Sequence, residues 1–212
     1  MDDLIFDALK RSDAHALARA LEAGASPHAR CPAIGERAVF RAARLSDPAC
    51  LALLLDRGAD REQLSIFDDS KPLHIAALVG AVACVELLLS RGADPHSPSR
   101  GGALPAMLAC GSENAPAIFR SLLAFGADLG ALDHEGRHAG FHAALKKNAD
   151  ALVFLADHGV DLSLQDAQGA SCAQFARRLE REQEALLIEA LVCKRELSLQ
   201  APFASALAKP RL

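Results

Sequence analysis

Residues 71–94 read KPLHIAALVGAVACVELLLSRGAD, and the fold follows from them. Lys71-Pro72 opens a helix, because proline suits the first helical turn, where its missing N–H costs little. Leu73, Ala76 and Ala77 form a short apolar face. Gly80 predicts the end of that helix in a left-handed cap. Val82, Val85, Leu88 and Leu89 then recur at helical spacing, and Gly92 closes the second helix. The unit is a helix, a tight turn, an antiparallel helix and an extended excursion. Alone it cannot bury both helix faces, so neighbouring units must stack.

The same grammar extends in both directions. The pieces LEAGASP, LLDRGAD, LLSRGADP, LLAFGAD and LADHGVD carry Gly24, Gly58, Gly92, Gly126 and Gly159, separated by 34, 34, 34 and 33 residues. One such match arises by chance; five in phase are an internal repeat. Composition agrees. The 212 residues are 51% hydrophobic but 4% aromatic, with no Trp or Tyr, so the core is built from Leu, Ala and Val. Such a core favours closely approaching helices over a β-sandwich or barrel. A net charge of −4 gives no support for a strongly basic nucleic-acid face.

The residues Pro72-Leu73-His74-Ile75-Ala76-Ala77 resemble the T-P-L-H-x-A-A signature of the ankyrin repeat. Its G-A-D element stands at Gly58-Ala59-Asp60, Gly92-Ala93-Asp94 and Gly126-Ala127-Asp128. Its D-x-x-G finger stands at Asp133-His134-Glu135-Gly136 and Asp166-Ala167-Gln168-Gly169. The resemblance implies an all-α ankyrin-repeat solenoid of about six stacked helix-turn-helix units with hairpin-like fingers. The expected domain covers residues 1–197, with repeats at about 3–29, 37–63, 71–97, 104–131, 138–164 and 171–197. The first and last are expected to be caps. The tail 198–212 carries no repeat signal; it either frays or folds back through Phe203 and Leu207.

Several positions depart from the signature. Its Thr is replaced by Lys71, Leu104, His138 or Ser171, and its His by Phe6, Phe40, Met107, Phe141 or Gln174. These exchanges suggest apolar packing in place of the usual turn network in most repeats. The connections from Gly24 to Ala42 and Gly58 to Ala76 are one residue longer than that from Gly92 to Ala109. The fourth repeat has one extra residue between its helices, within 111–116.

Residues 134–138 spell H-E-x-x-H, the zinc-protease pattern, which needs both histidines on one helix face. Gly136 and the repeat phase put them in a turn, so they read as an exposed polar finger. No nucleophile elbow or phosphate-cradling loop accompanies the other histidines. The six cysteines, without a CxxC pair or a secretory signal, read as reduced and mostly buried thiols. No catalytic residue, metal or cofactor is expected.

What the resemblance implies is a non-enzymatic module that binds a protein partner through the concave surface of fingers and first helices. The expected contacts are Arg44 and Leu45 in the second repeat, and Ile66, Phe67, Asp69, Leu78 and Val79 in the third. His134, Glu135, Arg137, Leu145 and Lys146 complete them in the fifth. Ile66 and Phe67 either fold down onto a neighbouring finger or form a hot spot with Phe67 as anchor. Arg30, Arg37, Arg41 and Arg44 cluster near that finger, either as a solvated rim facing Asp68 and Asp69 or as a steering field for a charged partner. The alternatives are a bacterial inhibitor of a cognate toxin or enzyme, and an effector delivered to host cells. An enzyme on a repeat scaffold comes last. The chain is expected to be a monomer when free, without nucleic-acid or membrane partners. Its expected place is the cytoplasm, or outside the cell without a cleavable signal peptide.

Overall fold

The computed structural model describes the backbone of residues 2–207 and the side chains through residue 199. The helices alternate as the repeat predicts. They are α1 (Asp2–Lys10), α2 (Ala14–Glu22), α3 (Ala38–Ala43), α4 (Ala49–Asp56), α5 (Pro72–Val79) and α6 (Val82–Ser90). Then come α7 (Pro105–Ala109), α8 (Ala115–Ala124), α9 (Ala139–Lys146), α10 (Ala149–Asp157), α11 (Cys172–Arg178) and α12 (Glu182–Leu207). Extended pairing among the described residues is limited to isolated antiparallel bridges at Arg30–Arg37 and Gln165–Ser171. None of the described helices is long and apolar enough to cross a membrane.

The chain forms two compact units, Met1–Leu129 and Gly130–Leu212. In the first, α1, α3, α5 and α7 pack in succession, each also against its own second helix. Leu17, Leu51, Leu54, Leu73, Leu88, Ile118, Phe119 and Leu122 are fully buried there. In the second, α9 packs on α10 and α11, and α12 on α10 and α11, around Phe141, Leu152 and Leu155.

The G-A-D element has an atomic reason at each letter. The five glycines hold φ between 80° and 92°, the left-handed region that only glycine enters without steric cost. The next residue (Ala25, Ala59, Ala93, Ala127 or Val160) is buried, and its N–H donates to the carbonyl five residues back at 2.9–3.0 Å. The acid then starts the excursion with an Asx turn: Asp60, Asp94 and Asp161 accept from the N–H two residues on, at 2.8, 2.9 and 3.0 Å.

Buried Phe6, Phe40 and Phe141 follow the expected apolar packing, but in three repeats the turn network survives, in two of them in altered chemistry. His74 Nδ1 accepts from Lys71 N (3.1 Å), Met107 Sδ from Leu104 N (3.4 Å) and Gln174 Oε1 from Ser171 N (3.0 Å). Three side chains of different type keep one backbone donor satisfied at the same repeat position. Because His74 Nδ1 accepts, its proton lies on Nε2, which donates to Ala103 O (3.2 Å) and ties one repeat to the next finger.

The C-terminal helix differs from expectation in two ways. It continues past residue 197 through Leu207. Its buried residues are Ala185, Ile188 and Leu191; of Leu186, Leu187, Leu191 and Val192, expected to pack inward on Leu152, Val153 and Leu155, Leu191 is buried, Leu187 and Val192 are half-buried and Leu186 is exposed, as is Val153. The side chains of Phe203 and Leu207, proposed to fold back, lie outside the described residues. The extra residues of the fourth repeat pack on the preceding turn. Asn114 Nδ2 donates to Gly80 O (2.9 Å), and a Cβ on Gly80 would run into Ser112.

Candidate functional site: the fingers and first helices

Each finger is a hairpin with a backbone hydrogen bond across its tip. Numbered by the repeat each leads into, the second and third fingers span six residues, from Cys31 N to Glu36 O (2.7 Å) and from Ser65 N to Ser70 O (2.8 Å). The last three span five, with Ser99, Asp133 and Asp166 donating to Ala103, Arg137 and Ala170 at 2.9 Å. The additional residue of the two long connections therefore sits in the finger itself. Four of the five fingers place a glycine with positive φ just before the closing acceptor; the third finger has Asp69 there, at φ 57°.

The two long fingers and the first helices below them enclose a groove of about 340 Å³. Phe40 and Arg41 of α3, Arg44 at its C-cap and Ile75 of α5 line it from the helices. Arg30, Ile34 and Arg37 line it from one finger, and Leu64, Ile66 and Phe67 from the other. Ile34, Leu64, Ile66 and Phe67 are 56%, 48%, 57% and 63% exposed, so the apolar rim is not core. Ile66 does reach the neighbouring finger, since a Cβ on Gly35 would lie 3.5 Å from its Cδ1, yet more than half of it stays in solvent.

The arginines are positioned by their own side of the groove. Arg30 Nη1 donates to Gly35 O and Arg37 Nη1 to His28 O, both at 3.3 Å. Arg44 pairs with Glu36 at 3.2 Å, while Arg41 is exposed and makes no pair among the described residues. Asp68 accepts from Ser70 N, and Asp69 turns to Arg100 (3.2 Å) rather than toward the groove. Arg100 also holds the third finger's backbone, donating from its N–H to Asp68 O (2.8 Å) and from Nη1 to Phe67 O (3.1 Å).

In the second unit the fifth and sixth fingers are braced. Asp133 accepts from Glu135 N and Arg137 N, and Asp166 from Gln168 N and Ala170 N. Ala167 N donates to Glu135 O at 2.8 Å, joining the fingers. Arg137 pairs with Asp166 and Glu135 and lies over the Phe175 ring, 4.7 Å from its centroid. His138 is not beside His134 on a helix face. It is the buried N-cap of α9, its Nδ1 accepting from Gly140 N (3.0 Å), whereas His134 is exposed at the finger. Burial pushes the His138 pKa down to about 4, against the opposing field of Asp161. The thiols of Cys84 and Cys172 are pushed up by burial to about 11 and about 12, so both stay protonated and inert as nucleophiles. Cys84 Sγ donates to Leu45 O at 3.0 Å. Four of the six cysteines are buried, as expected of most of them; Cys31 is half-buried and Cys193 exposed.

Of the contact residues read from the sequence, the groove brings together Arg44, Ile66 and Phe67. Leu78 and Val79, at the end of α5, are 39% and 43% exposed but do not line it, nor do half-buried Leu45 and Asp69. Leu145 and Lys146 are exposed at the end of α9, and Arg137 is committed to its own finger. Ile34, Leu64 and Phe40 were missed. The second finger lacks D-x-x-G, so nothing local marked Ile34 as a tip residue.

Residues 5–99 match the family described as ankyrin repeats, in three copies. No curated protein matches the chain.

Proposed function

We propose that this protein, whose residues 5–99 are ankyrin repeats, is a non-catalytic module that binds a protein partner through its fingers and first-helix ends. Protein–protein interaction is the general role of such repeats, and they are typically non-catalytic scaffolds. The observation that carries the reading is in the third repeat. Ile66, Phe67, Leu78 and Val79 are each more than a third exposed, although the helices behind them are fully packed. Large apolar side chains in water, on a backbone already held by hydrogen bonds, favour association because little must be ordered on binding.

The test is photo-crosslinking in the native cell, with benzoylphenylalanine at position 67, 79 or 145, and at Ser90 on α6 as control. The reading expects one protein adduct shared by the finger and first-helix positions and none from position 90. Adducts from position 90 alone, or none at any position, would contradict it.

A further inference from the structure

The groove between the two long fingers combines two surfaces that water does not fill well together. One is apolar: Ile34, Leu64, Ile66 and Phe67 present more than 40% of their area to solvent around a single cavity. The other is cationic. Four arginines line the groove against two carboxylates, Glu36 and Asp68, in a chain whose net charge is −4. The local sign is therefore opposite to that of the molecule. Glu36 is already engaged by Arg44, and Asp68 accepts from Ser70 N. Arg41 has no partner among the described residues, and Arg30 and Arg37 each donate one hydrogen bond to a backbone carbonyl out of five guanidinium donors. The guanidinium groups thus keep donors for incoming carboxylates, and arginine pairs with carboxylates in a bidentate geometry.

We propose that this groove takes an acidic peptide segment carrying one large apolar side chain, the apolar side chain against Phe67 and Ile34 and its flanking carboxylates on Arg41 and its neighbours. This deepens the reading above and rests on it. A single-stranded nucleic acid would also meet arginines and an aromatic ring, but such sites stack successive bases on several aromatics. Here the exposed rim is aliphatic apart from Phe67. Aspartate and glutamate flanking leucine or phenylalanine match both halves of the groove.

The test is fluorescence anisotropy with the full chain and four labelled eight-residue probes. They are an acidic peptide with a central Phe, the same peptide with Ala for Phe, a lysine-flanked Phe peptide, and oligo-dT. The acidic Phe peptide should bind best, by about ten-fold or more over each of the others, as expected for a hot-spot anchor. Its affinity should fall as salt rises. Arg41→Glu and, independently, Phe67→Ala should each weaken it by about ten-fold with unchanged melting curves. Equal binding of the lysine-flanked peptide, tighter binding of oligo-dT, no binding by any peptide, or full affinity in both variants would overturn the proposal. A shared crosslink at positions 79 and 145 with none at 67 would also overturn it, while leaving the binding-module reading intact.

Discussion

The third finger and the sixth are each closed by a backbone hydrogen bond, across six residues and five, and spend their side chains differently. In the sixth, Asp166 is buried and takes two backbone N–H groups and Arg137, whose guanidinium lies on Phe175. In the third, the finger is longer by one residue, the positive-φ place holds Asp69 in place of glycine, and Ile66 and Phe67 stand in water. The regular finger acts on stability. The irregular finger leaves apolar and cationic surface available, and Arg100 fixes its backbone without covering it. Local departures from a repeat mark where binding is to be sought.

The largest effect should come from removing what the braced region leans on. Truncation after Ala170 deletes α11 and α12, which cover α9 and α10. A terminal repeat shields an apolar face, so aggregation or loss of cooperative unfolding in the second unit is expected. A soluble truncation with an unchanged melting temperature would show that these helices cap nothing.

His138 makes the same region acid-sensitive. Its pKa is about 4 folded, against an ordinary value near 6.5, so below the ordinary value the unfolded chain binds more protons. Stability is therefore complete at neutral pH and declines as pH falls from about 6.5 toward 4. The decline should approach ~3 kcal/mol, since each pKa unit is worth about 1.4 kcal/mol. Burial lowers the His74 pKa as well, adding in the same direction. His138→Thr keeps a capping oxygen that does not titrate. Urea unfolding at pH 7 and pH 4.5 should show the variant losing clearly less stability than the parent; equal losses would remove His138 from the account.

The fingers can be compared directly by Asp166→Ala and Asp68→Ala. The first strands two backbone donors and Arg137 and should cost ~2–3 kcal/mol. The second removes the acceptor of a part-buried hydrogen bond from Ser70 N and of bonds from the Ser65 and Ser70 side chains but strands no arginine, and should cost less, ~1 kcal/mol. Equal costs would erase the distinction between braced and open fingers. The smallest expected effect is a gain. Asp69→Gly relieves a left-handed residue at φ 57° and forfeits an exposed pair with Arg100, for a net stabilisation of up to ~1 kcal/mol.

Much of this was legible because the repeat writes its backbone needs into residue type. A helix end at positive φ selects glycine, a buried turn selects alanine, and an Asx turn selects aspartate, so Gly92-Ala93-Asp94 announces its own geometry. Connection length likewise disclosed the two longer fingers. The groove was only half legible. It joins Arg30 and Ile34 to Ile66 and Phe67 across a full repeat, and no local pattern records that approach. The facing of α12 misled for a different reason. Leucines dominate any apolar count, but Ala185 fits where the helix packs closely, which turns Leu186 outward. The replaced His positions misled because Met107 and Gln174 do not look like imidazole, although both accept from the same backbone N–H.

Central to the account is that the exposed apolar residues of the third repeat belong to a binding surface and not to the core. Chemical unfolding of the double variant Phe67→Ala, Leu78→Ser measures this most directly. Surface substitutions away from packed features stay within about 0.5 kcal/mol, whereas truncating a core phenylalanine alone costs about 3–5 kcal/mol. The account predicts an unfolding free energy within ~0.5 kcal/mol of the parent, with an unchanged denaturant slope. A loss of ~3 kcal/mol or more would place Phe67 and Leu78 in the core and contradict it.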